Sequence, residues 1–441
     1  MMKSIIIDGF HSFDVGQICD SAPFDKVFYI GAPDDFPQNT SKISIYDCFS
    51  IPLGKYPSDF IEAEPLDEKI INRFAECESI VMKMFERNDF WFQTSFDQRK
   101  EWYLLHLRYW YYIIYKYNVT CFIKSNFSHE VYDYIIYYIL RDKNEKTYFF
   151  TQLSFMNRYI LEEDIYSYPK LKKFLLENNE IKKPCKEVLD FLNKQRIPAD
   201  LTKNVFQVIE KQRGGVKNQH KIIKNYNKKY AVIPDFAQKY FFVALHMQPE
   251  MTTCPLAGQF VYQDLIIELL DFYLPEDIFI YIKEHPAQTC IGRSENFYER
   301  FANRKRVKFI RTDVNSRILC DNSMAVVTCT GTIGWEALIR SKPVLMFGSF
   351  FYQFAPGCFC VKTREQLLSS IKTILSDYKI AQDEIDSFFQ KVYEYSNYGY
   401  IDTAYKSLIN ISEKENENTI LQIIQSKIYS NFLLEKEGNQ C

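Results

Sequence analysis

A chain of 441 residues exceeds what one hydrophobic core normally serves, and its 47% hydrophobic and 17% aromatic content can fill two, so two domains are predicted. A formal net charge of -2 offers no global basic surface of the kind that displaces counterions, which excludes nucleic acid as the expected partner. Twelve cysteines without a CxxC pair or a zinc-type Cys/His spacing predict reduced, mostly buried thiols and no metal centre.

The opening "MMKSIIIDGFHSF" has too short an apolar stretch for a signal peptide, and no apolar run reaches bilayer-crossing length. A cytoplasmic chain is expected, with peripheral contact at the inner membrane still compatible. Short apolar strands then alternate with longer helical segments: strands at 4–8, 26–31 and 42–49, helices around 59–88 and 98–117, a strand at 120–126, a helix at 129–142 and a strand at 146–154. This alternation predicts a parallel sheet wrapped by helices. The aromatic stretch "WYLLHLRYWYYIIYKY" (102–117) reads as a helix packed in the core, His106 included.

From about 160 to 230 the pattern turns helical and polar and ends in "KQRGGVKNQHKIIKNYNKKY", whose glycines and lysines suit an exposed connection. The same basic stretch, Lys211 to Lys229, also offers charge to anionic lipid head groups. A second alternation follows: strands at 239–248, 277–285, 306–311, 324–330 and 343–348, with helices at 260–273 and 333–341, then helical segments from 379 onward. The expected organisation is 1–230 as the first α/β domain with its helical linker, 231–395 as the second, and 396–441 as a helical tail.

Ligands of open parallel sheets bind beyond the carboxyl ends of strands. "YIKEHPAQ" (281–288) sets Lys283, Glu284 and His285 at such an end, with Pro286 fixing the exit of the chain. A lysine and an imidazole there can hold a phosphate; a histidine bonded to its own loop is the alternative. "VVTCTGTIGWEAL" (326–338) passes from strand through Thr328, Thr330, Gly331 and Thr332 into a helix, an arrangement that brings backbone N–H groups to an anion. It is neither a P-loop nor a GxGxxG fingerprint. Glu336 can reach a ribose hydroxyl or simply favour the helix dipole, and Thr330 can serve as a helix N-cap.

The pairing of "YIKEHP" with "TGTIGWEALIRSKPVLMFGSFFY" resembles the capsular polysaccharide glycosyltransferases that include bacterial Kdo transferases, and is similar to bacterial sialyltransferases, over roughly 239–365. That resemblance implies an α/β fold of the GT-B class, two Rossmann-like domains with parallel sheets facing across a cleft. The first would lie on the acceptor side and the second would hold the nucleotide sugar. It implies that His285, beside Lys283 and Pro286, contacts the donor phosphate and that Thr330 and Thr332, with Thr328 and Gly331, complete the cradle. The implied partners are a nucleotide-sugar donor, preferably a CMP-activated ulosonic acid such as Kdo or a sialic-acid-like sugar, and a glycan or lipid-linked acceptor. "CTGTIGWEALIRSKPVL" also resembles the phosphate turn of UDP-GlcNAc 2-epimerases, in which Thr330, Gly331 and Thr332 take the turn and Glu336 the ribose. An epimerase and a non-catalytic nucleotide- or glycan-binding protein therefore stand as alternatives.

Glycosyl transfer needs a carboxylate or imidazole at the reacting atoms. "IKSNFSHEVYD" supplies Ser128, His129, Glu130 and Asp133 where a strand meets a helix, which makes His129 and Glu130 candidates, with capping chemistry the alternative for Ser128 and Asp133. Asp8 and His11 after the first strand form a second set, and Gln248 and Glu250 in "LHMQPEMTT" a third. No DxD sequence that would seat a divalent metal on a nucleotide sugar occurs, so neither metal nor cofactor is expected.

Overall fold

Five of the apolar runs of the first half form strands: β1 (Ser4–Asp8), β2 (Lys26–Gly31), β3 (Ile43–Asp47), β4 (Val119–Lys124) and β5 (Lys146–Leu153). The computed structural model describes residues 3–11, 13–37, 41–57, 60, 62–90, 94–197, 219–250, 252–288 and 293–433. Two strands of this sheet escaped the sequence pattern, β6 (Arg158–Glu162) and β14 (Asn397–Tyr398), as did both edge strands of the second sheet, at 231–232 and 358–360. The sheet runs β14-β6-β5-β4-β1-β2-β3, parallel from β5 to β3 and antiparallel at β6 and β14. Every residue of β1 is buried, as a central parallel strand covered on both faces requires.

One face is covered by the helix Phe96–Lys116, which starts on the Ser95 cap and buries Tyr103, Tyr109, Trp110 and Ile113. Tyr56 stacks on Tyr109 with ring centroids 3.8 Å apart. His106 meets the Tyr56 hydroxyl at 2.5 Å, and burial pushes its pKa down to about 3, so this helix and its histidine pack in the core as expected. The helix expected at 59–88 is broken into Glu68–Arg73, Ala75–Met84 and a 3-10 turn.

The second sheet is built from β7 (Ala231–Val232), β8 (Tyr240–Ala244), β9 (Phe279–Lys283), β10 (Val307–Ile310), β11 (Ala325–Thr328), β12 (Val344–Met346) and β13 (Cys358–Cys360). Its order is β13-β12-β11-β8-β9-β10-β7, all parallel. Both sheets thus have seven strands, and the α/β class of two mostly parallel sheets holds.

The compact units differ from the expected domains. The described residues of 1–85, 93–170 and 395–441 make one, and those of 86–92 and 171–394 the other. The boundary falls near 170 rather than 230 because the helix Lys186–Arg196 packs with the second sheet's helices: Phe191 stacks on Trp335 at 6.1 Å, and Arg196 donates to the Ile339 carbonyl. The tail expected at 396–441 is not a separate piece either. Its strand β14 pairs with β6, and its helix Glu413–Ile424 places Ile420 and Ile424 in the core formed by Ile5, Ile18 and Phe24. Phe432 closes on Phe24, ring centroids 4.8 Å apart. Of the basic connection, 211–218 lie outside the described residues and Gln219–Lys229 is helix. Among the described residues no helix is long and apolar enough to cross a membrane.

Candidate functional site

In each sheet the chain reverses its direction of growth at one place. The first adds β2 and β3 to one side of β1 and then β4 to the other; the second adds β9 and β10 to one side of β8 and then β11 to the other. Loops leaving the two strands at such a point diverge and open a crevice, the usual ligand position in open α/β sheets.

At the reversal of the second sheet, two loops are tied together by a histidine. The Thr328 hydroxyl donates to His246 Nε2 at 2.9 Å, and the Thr330 N–H donates to the same nitrogen at 3.2 Å. Nε2 is therefore the acceptor, and the neutral ring carries its proton on Nδ1. Burial, with His285 and Arg293 nearby, pushes the His246 pKa down to about 3, which keeps the ring neutral. Thr328 Oγ1 in turn accepts the Gly331 N–H at 3.2 Å, and Thr330 Oγ1 donates to the Thr252 carbonyl at 2.8 Å. A side chain at Gly331 would meet Thr328 Oγ1 at 2.8 Å and His246 Nε2 at 3.1 Å, so the turn requires glycine. Gly331 is the N-cap of the helix Thr332–Ile339, and no side chain caps it. Of its first-turn N–H groups, that of Gly334 donates to the Gly331 carbonyl at 2.9 Å, and the helix start carries the positive end of the dipole.

Across β8 stands β9, ending in Lys283. Its Nζ donates to Ser316 Oγ at 2.8 Å, and among the described residues no carboxylate lies at ion-pair distance. Burial pushes its pKa down to about 8, only partly offset by Asp313. Next in the chain, Glu284 turns inward: its side chain, 0% exposed, pairs with Arg293 at 2.9 Å, accepts the Tyr298 hydroxyl at 2.8 Å and accepts the His285 N–H at 2.7 Å. Arg293 also donates to the His246 carbonyl at 2.8 Å, which ties the end of β8 to the end of β9. His285 is half-buried and accepts the Ala287 N–H on Nδ1 at 3.2 Å, which leaves the ring proton on Nε2. Gln248 is fixed through its backbone by the Gln288 amide, while its own buried side-chain amide has no partner on either atom among the described residues.

The first sheet's reversal lies between β1 and β4, where Asp8 and Lys124 are register partners. Lys124 Nζ pairs with Asp8 at 2.7 Å and with Asp133 at 3.0 Å, all three side chains out of solvent. Burial raises Asp8 to about 6, Lys124 pulling the other way. Burial would raise Asp133 too, but Lys124, His129 and the His129 N–H hold its carboxyl below the ordinary range.

The second of these crevices is where the sequence bears its recognisable signature. Residues 201–366 match the family described as capsule polysaccharide biosynthesis protein. The match is to capsule biosynthesis. A stretch of 73 residues, 17% of this chain, is 33% identical to capsule polysaccharide modification protein LipA of Neisseria meningitidis serogroup B and spans 10% of that protein's length. Among solved structures, UDP-GlcNAc 2-epimerase of Methanocaldococcus jannaschii in complex with UDP-GlcNAc and UDP aligns at 13% identity over 89% of this chain and 100% of its own, TM-score 0.31. KpsC of Thermosulfurimonas dismutans, a beta Kdo 2,4 transferase, aligns at 14% identity over 61% and 79%, also at 0.31. At those scores neither adds to what the sheet order itself displays. The capsule family segment contains β8 to β13 and with them every residue of the second crevice.

Within that segment the structure gathers Lys283, His285, Thr328, Thr330, Gly331 and Thr332 at the strand ends of one sheet. Thr328 and Thr330 shape the turn with their hydroxyls, and Gly331 rather than Thr330 takes the N-cap position. Pro286 is exposed. The Glu336 carboxyl meets Arg317 at 3.4 Å, and burial raises its pKa against that pull. Glu250 accepts the Thr252 N–H at 2.7 Å and so closes its own turn. In the first unit the helix expected from 129 begins only at Tyr132, because Val131 has φ 49°; His129 and Glu130 stand on the loop before it. His11 pairs with Asp35 at 3.0 Å rather than with Asp8.

Three residues of these clusters went unread in the sequence. Lys124 and Lys283 end their strands in the same way, "FIK" and "YIK", and that repetition was a usable signal for Lys124. His246 sits two residues past an apolar strand, as His285 does. Arg293 bears no local mark at all.

Proposed function

We propose that this protein is a glycosyltransferase of bacterial surface-polysaccharide biosynthesis. It would take a nucleotide-activated sugar, preferably a CMP-linked ulosonic acid, and transfer it to a glycan or lipid-linked acceptor. The observation that carries the reading is Lys283. Among the described residues this buried ammonium has no carboxylate at ion-pair distance, and at the strand end beside the reversal point its charge suits an anionic ligand. His285 and the uncapped helix at Gly331 stand at strand ends of the same sheet, and their chemistry suits the phosphate of a nucleotide.

As the glycosidic bond breaks, negative charge grows on the leaving phosphate. Lys283, the His285 Nε2–H and the helix N–H dipoles are oriented before the reaction and can stabilise that charge without a divalent ion. Acid–base work falls to His129 and Glu130 in the first unit or to Glu250 in the second, whereas Asp8 is sealed against Lys124. Contact of the basic stretch at 211–229 with anionic lipid would bring a lipid-linked acceptor near.

The test begins with thermal shifts of the protein against CMP, UDP, GDP and their sugars, since ligands that bind the native state raise its apparent stability. A shift with one nucleotide class, reduced in His285→Ala by the worth of one charge-assisted bond, about 1.5 to 3 kcal/mol, supports the site. Transfer of sugar from that donor, retained in EDTA, completes the case. Epimerised free nucleotide sugar would identify an epimerase instead, and binding without turnover a carrier or sensor.

A further inference from the structure

Lys124 and Lys283 both end an apolar strand beside a reversal point, yet they are opposite in circumstance. Among the described residues Lys283 faces no carboxylate at ion-pair distance, whereas Lys124, 6% exposed, has one from β1 and one from the start of the helix Tyr132–Asp142. The second of these, Asp133, does more than neutralise the lysine. Its Oδ1 accepts the Glu130 N–H at 2.7 Å and its Oδ2 accepts the His129 N–H at 3.0 Å. The loop is thereby held by its backbone, one hydrogen bond per residue, at the two residues with acid–base side chains.

Those side chains are arranged as a pair. The Phe127 carbonyl lies 2.6 Å from His129 Nδ1, which therefore carries a proton, and Nε2 stands 3.7 Å from Glu130 Oε1. A proton taken up at Nε2 is stabilised by that carboxylate. Glu130 is 46% exposed and His129 14%, while Asp8, Lys124 and Asp133 are sealed. The pair, not the buried triad, can meet a substrate. The loop also stores strain: Val131, a β-branched residue, sits at φ 49°, a conformation that persists only where its surroundings impose it.

We propose that Lys124 is the positioning residue of this loop, holding the His129–Glu130 pair, through Asp133, in the geometry that accepts the proton of an acceptor hydroxyl. The proposal rests on the glycosyltransferase reading. When the acceptor oxygen attacks, its O–H bond breaks, the proton passes to His129 Nε2, and the oxygen uses the freed electron pair for its new bond to the sugar carbon, while the bond from that carbon to the donor phosphate breaks and the phosphate leaves with its electrons.

Removal of Lys124 alone would leave two buried carboxylates facing each other and can unfold the unit. The test therefore uses the double variant Asp8→Asn/Lys124→Met, which keeps the net charge of the cluster, and Lys124→Arg, which keeps the cation. Two readouts are taken on the full chain: turnover set against nucleotide affinity, and the protonation of the His129 ring nitrogens by 15N NMR. The double variant should bind nucleotide within about twofold of the parent, as expected for residues that share no partner with the nucleotide cradle. Its turnover should fall about 100-fold, the usual cost of a displaced reacting group. In the parent Nδ1 stays protonated; in the double variant both tautomers appear. Lys124→Arg should restore most of the turnover and the single tautomer. Unchanged turnover, an unchanged tautomer in the double variant, or no restoration by arginine overturns the assignment. If the parent transfers no sugar, the glycosyltransferase reading fails, and the tautomer measurement still decides whether Lys124 sets the loop.

Discussion

Arg293→Met should destabilise the second unit by about 3 to 5 kcal/mol, the cost of stranding a buried charge whose partner is removed. Glu284 cannot turn to water, since none of its side chain is exposed. It would keep the Tyr298 hydroxyl and the His285 N–H and lose the guanidinium at 2.9 Å. The His246 carbonyl would lose its donor at 2.8 Å, worth about 1 kcal/mol more, and the stack of Arg293 over the Phe297 ring, 4.6 Å from the centroid, would go as well. At about 2 to 4 °C per kcal/mol for a unit of this size, the thermal midpoint should drop by roughly 6 to 20 °C. Urea unfolding monitored by tryptophan fluorescence and by circular dichroism measures the free-energy loss directly. Adding Glu284→Gln to the variant should recover much of the loss, because the stranded charge is then gone while the shape remains. A loss below about 1 kcal/mol, or a double variant no better than the single one, would refute the account of Arg293 as the counter-charge that joins β8 to β9.

The Asp8 carboxyl, ordinarily near 3.8, should titrate near 6 in the folded chain by 13C NMR. Since the folded pKa is the higher one, Asp8 contributes stability below pH 3.8 and that contribution is lost as pH rises through about 6; Asp8→Asn removes this dependence, and a midpoint at or below 3.8 contradicts it. Gly331→Ala should leave the fold intact but weaken nucleotide binding by about tenfold, the worth of one or two hydrogen bonds, because the new methyl must displace Thr328 Oγ1 or His246 from the turn. Calorimetric affinity equal to the parent's would show that the turn does not touch the ligand.

Both sheets could be read from apolar runs because a buried parallel strand is a local pattern, four to eight residues long, and so could the strand-end position of His285 and the threonine turn. What stayed hidden depends on pairing over distance. "FIK" and "YIK" look alike, and only the fold gives Lys124 two carboxylates and, among the described residues, Lys283 a serine instead. Glu284 stands between Lys283 and His285 in the sequence with no mark of its role, and only the fold shows Arg293 holding it from inside. His129 and Glu130 were assigned to a helix by periodicity, and the left-handed backbone at Val131 puts them on a loop instead. The strand pair β14–β6 joins residues more than two hundred positions apart, beyond any local period, which is why the tail looked like an appendage.

That late pairing has a consequence for how the molecule is made. Multidomain chains generally fold from the N-terminus as they leave the ribosome. Here the first core joins Phe24 to Phe432, which is made more than 400 residues later. Nascent chain up to residue 170 carries five parallel strands and β6 with no partner for its outer edge and no helix over Ile18 and Phe24. The later unit has almost all of its residues, 171–394, in one run and can finish first. Order of synthesis and order of completion are thus reversed, and through the translation of some 225 residues an unfinished sheet edge of the first unit is left to whatever chaperone or neighbouring chain meets it.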